Sequence, residues 1–221
     1  MHLNVRDVSL AYGERRILCA VAFDLAPGEH ALLLGPSGSG KSSLLNIICG
    51  LQAPDSGAVT LGAFEASGVR GDAARRRMGI VFQTLRLVSA LDVRANLLLA
   101  QRLQCGATRP ALVEATLERL GIAHRAHARP FELSQGEAQR AAIARALVVE
   151  PAILIADEPT SALDRANTET VAQLLIESAR EAGASLLVAT HDDRIAPHFE
   201  RTLVLEEGSL HDSTRKGAPA A

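Results

Sequence analysis

An α/β fold with a largely parallel sheet is predicted by three features of this sequence. Short apolar runs alternate with stretches of helical period along most of the chain. One apolar run, 29–35, flows into a glycine-rich turn that opens a helix, and another, 152–157, ends in adjacent carboxylates. With 221 residues, 48% hydrophobic and 22% charged, the chain has enough apolar material to bury one substantial core.

Taken in order, the elements begin with an antiparallel β portion. Segments 3–10, 20–25 and 58–61 are short, alternating in character and separated by turn residues such as Tyr12-Gly13-Glu14 and Pro54-Asp55-Ser56-Gly57. A buried type of strand at 29–35 is followed by a helix over 41–49, and 78–83 is a further strand. From 84 to 150 the strand signal disappears and three helical patterns follow, at 92–103, 110–120 and 136–149. This reads as a helical subdomain (84–150) inserted between two strands of one sheet, the core being made of 1–83 and 151–212. Alternation resumes with a strand at 152–157, a helix at 165–181 and strands at 185–190 and 202–205. Residues 213–221 are small and polar, and are expected to form a disordered tail.

Composition removes several classes of function. The formal net charge is −2 and the densest basic run is Arg75-Arg76-Arg77, read here as a solvated helix face, so no nucleic-acid partner is expected. Cys19, Cys49 and Cys105 show neither C-x-x-C nor Cys/His metal spacing, which favours reduced structural thiols in the cytoplasm. The apolar runs are far shorter than the ~20 residues that span a bilayer, so any membrane role is expected to come through a partner.

Gly35-Pro36-Ser37-Gly38-Ser39-Gly40-Lys41-Ser42 fits the phosphate-loop pattern and lies between a strand and a helix, where that pattern must lie. Its glycines let successive backbone N–H groups converge on an anion, and the helix N-terminus adds partial positive charge. Lys41 is then the cation for β- and γ-phosphate oxygens, and the Ser42 hydroxyl is a ligand for Mg²⁺. The strand ending Asp157-Glu158 places two acids at the ligand-binding edge of the sheet. Because side chains alternate along a strand, the two can take separate tasks: Asp157 supports the metal, and Glu158 is the general base for the attacking water.

A phosphate loop alone leaves kinases, GTPases and many ATPases open; other residues narrow the field. Leu133-Ser134-Gln135-Gly136-Glu137, Asp157-Glu158-Pro159-Thr160 with Ser161-Ala162-Leu163-Asp164, Thr190-His191-Asp192, Phe82-Gln83 and Tyr12 occur in the order and context of the ATP-binding cassette (ABC) ATPases. The sequence resembles that family over nearly its whole length. By itself, Ser134-x-x-Glu137 is also a capping box, and Asp164 is also an N-cap for the following helix.

The resemblance implies a phosphate-loop NTPase with an N-terminal antiparallel β portion, a RecA-like core and an inserted helical subdomain. It implies ATP and Mg²⁺ as ligands. Gln83 would touch the metal or the attacking water, His191 would hold the γ-phosphate, and Tyr12 would stack on adenine. The phosphate-loop residues through Ser43 would surround the phosphates, while Ser134, Gly136 and Asp164 would serve a nucleotide held by the opposite copy in a head-to-tail homodimer. A separate integral membrane permease would be driven through the segment from Thr84 to Asp92, placing the protein on the cytoplasmic face of the membrane. The run from Phe82 to Leu97 most resembles the lipoprotein-releasing and macrolide-export group of cassettes. The family usually has glycine where Gln135 stands, so weak turnover is one alternative; a non-transport regulatory ABC ATPase is another.

Overall fold

The computed structural model describes residues 1–66, 72–160 and 165–215. Two sheets and a group of helices make up the described residues. Strands β1 (Leu3–Tyr12), β2 (Arg15–Leu25), β4 (Ser56–Leu61) and β5 (Phe64–Glu65) form an antiparallel sheet in the order β2-β1-β4-β5. The second sheet has the order β10-β9-β3-β8-β7-β6. In it β3 (His30–Leu34), β6 (Met78–Val81), β7 (Ile153–Asp157), β8 (Ser185–Thr190) and β9 (Arg201–Glu206) are mutually parallel. Strand β10 (Ser209–Arg215) is antiparallel on the edge.

The apolar runs of β3, β7 and β8 are continuous because both faces of these strands are covered. Alternation assigns each residue to one of two cores. Leu32, Leu154, Ala156, Leu186 and Val188 join the core beneath the helical insert. Ala31, Leu33, Ile153, Ile155, Leu187 and Ala189 join a second core with helix α1 (Lys41–Ile48) and the inner faces of β1, β2 and β4. Eight residues are too few for a stable isolated helix. What holds α1 is burial of Leu44, Leu45, Ile47 and Ile48, each worth roughly 1.5–3 kcal/mol in area terms.

Between the paired strands β6 and β7 the chain forms α3 (Val93–Cys105), α4 (Pro110–Arg119) and α5 (Gln135–Leu147). Each helix has a local start signal. Asp92 caps α3 by accepting the Ala95 N–H, Pro110 occupies the first turn of α4, and Ser134 with Glu137 forms a capping box on α5. Fully buried Gln101 ties the three together, donating to Val148 O (3.1 Å) while accepting from the Arg109 N–H (2.7 Å). Helix α5 lies close against β6, since a Cβ at Gly79 would sit 2.3 Å from Ala146 O. The remaining helices are α2 (Asp72–Arg75) and α6 (Arg165–Glu181).

Two expectations need correction. The tail was expected to be disordered from 213, but residues 213–215 continue β10, with Thr214 and Arg215 opposite Thr202 and Arg201. Only Leu210 of this edge strand is a large apolar residue, partly buried against the second core, so the sequence shows no apolar alternation; its signal is the two-residue turn Glu207-Gly208, both residues at positive φ (47° and 78°). The short pieces β5 and α2 also carry too few residues to show a period. Finally, Arg75-Arg76-Arg77 is solvated in part but is not a helix face: Arg76 and Arg77 are exposed, while only Arg75, partly buried, lies in a helix, at the end of α2. Arg75 donates to Gly50 O at 2.8 Å, and the Arg77 guanidinium lies 4.8 Å from the Phe64 ring centre.

Candidate functional site

Four neighbouring parallel strands, β3, β8, β7 and β6, end at one edge of the sheet, and each delivers a predicted residue there. Ligand chemistry in open α/β sheets gathers at this edge because loops, not side-chain-filled strands, line it. After β3 comes the phosphate loop; at the end of β7 come Asp157 and Glu158; His191 follows β8, and Gln83 follows β6. A cleft of about 440 Å³ opens over them, lined by Tyr12, Ser37, Gly38, Gly40, Lys41, Ser42, Ser43, Gln83, Glu158 and His191.

The loop turns into α1 at Gly40, whose φ of 104° and 3.0 Å gap between a would-be Cβ and Ile17 O leave no room for a side chain. Lys41, in the first turn of α1, is folded back and 5% exposed. Its Nζ donates to Gly35 O (2.8 Å) and Pro36 O (3.1 Å) and lies 3.5 Å from Glu158 Oε1. Ser39 Oγ is buried without a hydrogen-bond partner among the described residues. An orphaned hydroxyl, a buried ammonium and a helix N-terminus suit an oxygen-rich anion such as a nucleotide polyphosphate.

The two carboxylates are arranged differently from simple alternation. Asp157 Oδ1 accepts the Ser42 hydroxyl at 3.2 Å. Glu158 would then face away from α1, but its φ of 45° turns the chain, and both carboxylates converge on the first turn of α1. Non-glycine residues at positive φ are uncommon and collect at functional sites. The turn is held by the Glu158 N–H donating to Ala189 O (2.8 Å). Glu158 Oε2 accepts from Thr190 Oγ1 (3.1 Å) and lies 2.9 Å from His191 Nδ1. Burial pushes the Asp157 carboxyl above its usual range, reinforced by the Glu158 charge and opposed by the Ser42 hydrogen bond and Lys41. A hard cation beside Ser42 and Asp157 would reverse that balance, and the oxygen donors present fit Mg²⁺.

Ser134 and Gly136 do not line this cleft. They sit at the N-terminus of α5, where Ser134 N–H and Oγ both donate to Glu137 Oε2 (2.7 and 2.8 Å). Arg125 donates to both Glu137 oxygens (2.7 and 3.2 Å), and it, followed by Ser134, holds that carboxyl far below the usual range. Asp164 lies outside the described residues. Sequence reasoning missed Arg15, Ile17 and Thr190 as site residues. Position would have found Thr190, the last residue of a strand that ends at the site; Arg15 and Ile17 enter through the fold of the β1–β2 hairpin.

A phosphate loop at the carboxyl edge of a parallel sheet, faced by a cation–carboxylate–imidazole cluster, defines a nucleotide-binding domain of the phosphate-loop class. The family model described as ABC transporter matches residues 18–161. The chain is 41% identical to an uncharacterised ABC transporter ATP-binding protein of Mycobacterium tuberculosis, the match covering 89% of this chain and 82% of that protein. It is 38% identical to the lipoprotein-releasing system ATP-binding protein LolD of Pseudomonas fluorescens, covering 94% and 96%. Among solved structures, the dimeric post-hydrolysis state of the cassette MJ0796 bound to ADP and Pi superposes with a TM-score of 0.86 at 33% identity, over 98% and 100% of the two chains. The chain therefore belongs to the ABC transporter family, as an ATP-binding, ATP-hydrolysing subunit. No helix among the described residues is long and apolar enough to cross a membrane.

Proposed function

We propose that this cassette hydrolyses Mg²⁺-ATP within a head-to-tail homodimer and drives a separate membrane permease of the lipoprotein-releasing or related export type. The observation that carries the reading is the cluster in which Glu158 stands 3.5 Å from Lys41 through one oxygen and 2.9 Å from His191 through the other. It supports these assignments. Lys41 neutralises the β- and γ-phosphate oxygens within the cradle of Gly35 to Ser43, leaving its carbonyl and Glu158 partners as phosphate oxygens arrive. Freed of Lys41, Glu158 accepts a proton from the attacking water, which His191 and Gln83 orient. Ser42 and Asp157, with Gln83, would hold Mg²⁺, which when bound neutralises developing negative charge. Tyr12 carries the adenine ring.

The second half of each site comes from the opposing copy. The N-terminus of α5, with Ser134 and the Gly136 backbone, is an anion site turned to the partner's γ-phosphate, and Asp164 belongs to the same interface. A solved relative that is itself dimeric supports this arrangement. The permease contact is assigned to residues 84–92. That segment is shaped for it: Leu85 and Arg86 have positive φ (55° and 49°), and buried Asn96 holds the following turn through Val88 N–H and O (2.7 and 3.1 Å). Movement at Gln83 is thus passed to a pre-shaped surface. Bound to such a permease, the subunit sits on the cytoplasmic face of the membrane. Relatives named for lipoprotein release, such as that of Pseudomonas fluorescens, favour the export assignment.

The test is Glu158→Gln. Turnover should fall by about 10²- to 10⁴-fold, the range of positioned general-base catalysis, while the ATP-loaded variant elutes as a dimer on size exclusion. Wild-type rates from this variant would remove Glu158 from the mechanism.

A further inference from the structure

Tyr12 ends β1 and pairs across the Gly13-Glu14 turn with Arg15, so its ring projects from a hairpin tip and is 57% exposed. An aromatic ring in that position has rotamer freedom to lose before it can act as a binding surface. Here its hydroxyl is engaged: it lies 2.8 Å from Nε2 and 3.1 Å from Oε1 of Gln52. Either orientation of the amide satisfies the contact, since a phenol both donates and accepts.

Gln52 is itself fixed. Its N–H and that of Leu51 donate to Asn46 O (3.2 and 2.8 Å), tying them to the last turns of α1, the helix whose first turn holds Lys41 and Ser42. The same connection fastens the hairpin at two further points. Asp55 Oδ2 accepts the Ala11 N–H (2.7 Å), and the Asp55 N–H donates to Ser9 O (2.9 Å). Phosphate loop and aromatic ring are therefore attached to opposite ends of one helix, whose eight residues span roughly 12 Å.

We infer that Gln52 is a positioning residue for the nucleotide: through the Tyr12 hydroxyl it holds the ring as a platform for the purine base, at a distance from the phosphate loop set by α1. The inference rests on the reading of Tyr12 as the base platform. Gln52 touches no part of the nucleotide; it restricts the ring before binding, so its contribution appears in affinity for the base and not for the phosphates.

Calorimetric titration of the full chain with Mg²⁺-ADP and, separately, Mg²⁺-pyrophosphate tests this, using Tyr12→Ala, Tyr12→Phe, Gln52→Ala and the Tyr12→Phe/Gln52→Ala double variant. Tyr12→Ala should weaken ADP most. Tyr12→Phe and Gln52→Ala should each weaken ADP by about two- to tenfold, the range of one net hydrogen bond, with the double variant no weaker than the weaker single one. Pyrophosphate affinity should be unchanged throughout. If Tyr12→Ala binds ADP like wild type, the base-platform reading fails and the inference with it. If only Tyr12→Ala weakens ADP, the platform stands and the role of Gln52 is refuted. Additive losses in the double variant, or an equal loss of pyrophosphate affinity in Gln52→Ala, would also overturn it, because Gln52 would then act apart from the ring or through the phosphate loop.

Discussion

At the residue scale, Asp157 shows how a carboxylate proposed to support the metal carries a folding penalty. Burial disfavours its charged form, so its folded pKa lies above the unfolded one. The sign follows from proton binding. Above both values the ionised group opposes folding, and the opposition fades as pH falls through the folded pKa and below the ordinary carboxylate range. Asp157→Asn is therefore expected to melt, without nucleotide, at the same or a higher temperature than wild type at pH 7, the difference narrowing on acidification, while Mg²⁺-dependent ATP turnover is lost. A lower melting temperature at pH 7 would show that the Ser42 hydrogen bond outweighs burial. Asp157, Glu158 and Lys41 were each legible from motif position. The backbone turn at Glu158 was not, because a positive φ leaves no mark in an Asp-Glu-Pro string; it is fixed by the hydrogen bond to Ala189 O on the neighbouring strand.

The element to which most of the remaining chemistry is assigned by proposal is α5. Its capping box was readable from Ser134 and Glu137, because the spacing that satisfies orphan N–H groups is local. The Arg125 clamp on Glu137 was not readable, since it joins residues 12 apart across the 3₁₀ turn Pro130–Glu132. With its folded pKa depressed, Glu137 contributes stability that is fully present above the ordinary carboxylate range and is lost only as pH falls toward its lowered value. The end of α5 that is proposed to meet the opposing nucleotide is thus stiffened at neutral pH. Gln135, the first residue of this helix, stands where the resemblance to the family implies glycine. Gln135→Gly should raise ATP turnover by up to about tenfold, equivalent to ~1.4 kcal/mol of relieved crowding, while lowering helix stability by at most about 1 kcal/mol. Steady-state ATPase rates and thermal melts on the same sample read the two effects separately; unchanged or lower turnover would clear Gln135 of any crowding.

Across the whole molecule, Arg201 joins the parts that the sequence lists separately. It is 5% exposed on β9 and donates to Asp24 O at the end of β2 (2.6 Å), to Glu29 ahead of β3 (3.1 Å) and to Asp212 on β10 (2.8 and 3.0 Å). Removing it leaves two carboxylates and a carbonyl facing one another. Arg201→Ala is expected to cost about 3 kcal/mol, the lower end for a broken buried pair because Asp212 is 39% exposed. For a chain of this size that is a fall of roughly 6–12 °C in Tm. A fall of under about 2 °C in a thermal melt would show that water replaces these contacts freely. The sequence by itself determined the phosphate loop, the acidic strand end, the helix caps, the parallel strands and the family, because each is written in local spacing or in an ordered set of motifs. The tertiary structure alone decided that Glu158 turns back toward Lys41, that Gln52 holds Tyr12 and that Arg201 bridges both sheets. All three depend on contacts between residues far apart in the chain, whose partners are chosen by strand order and packing and not by the neighbours of either residue.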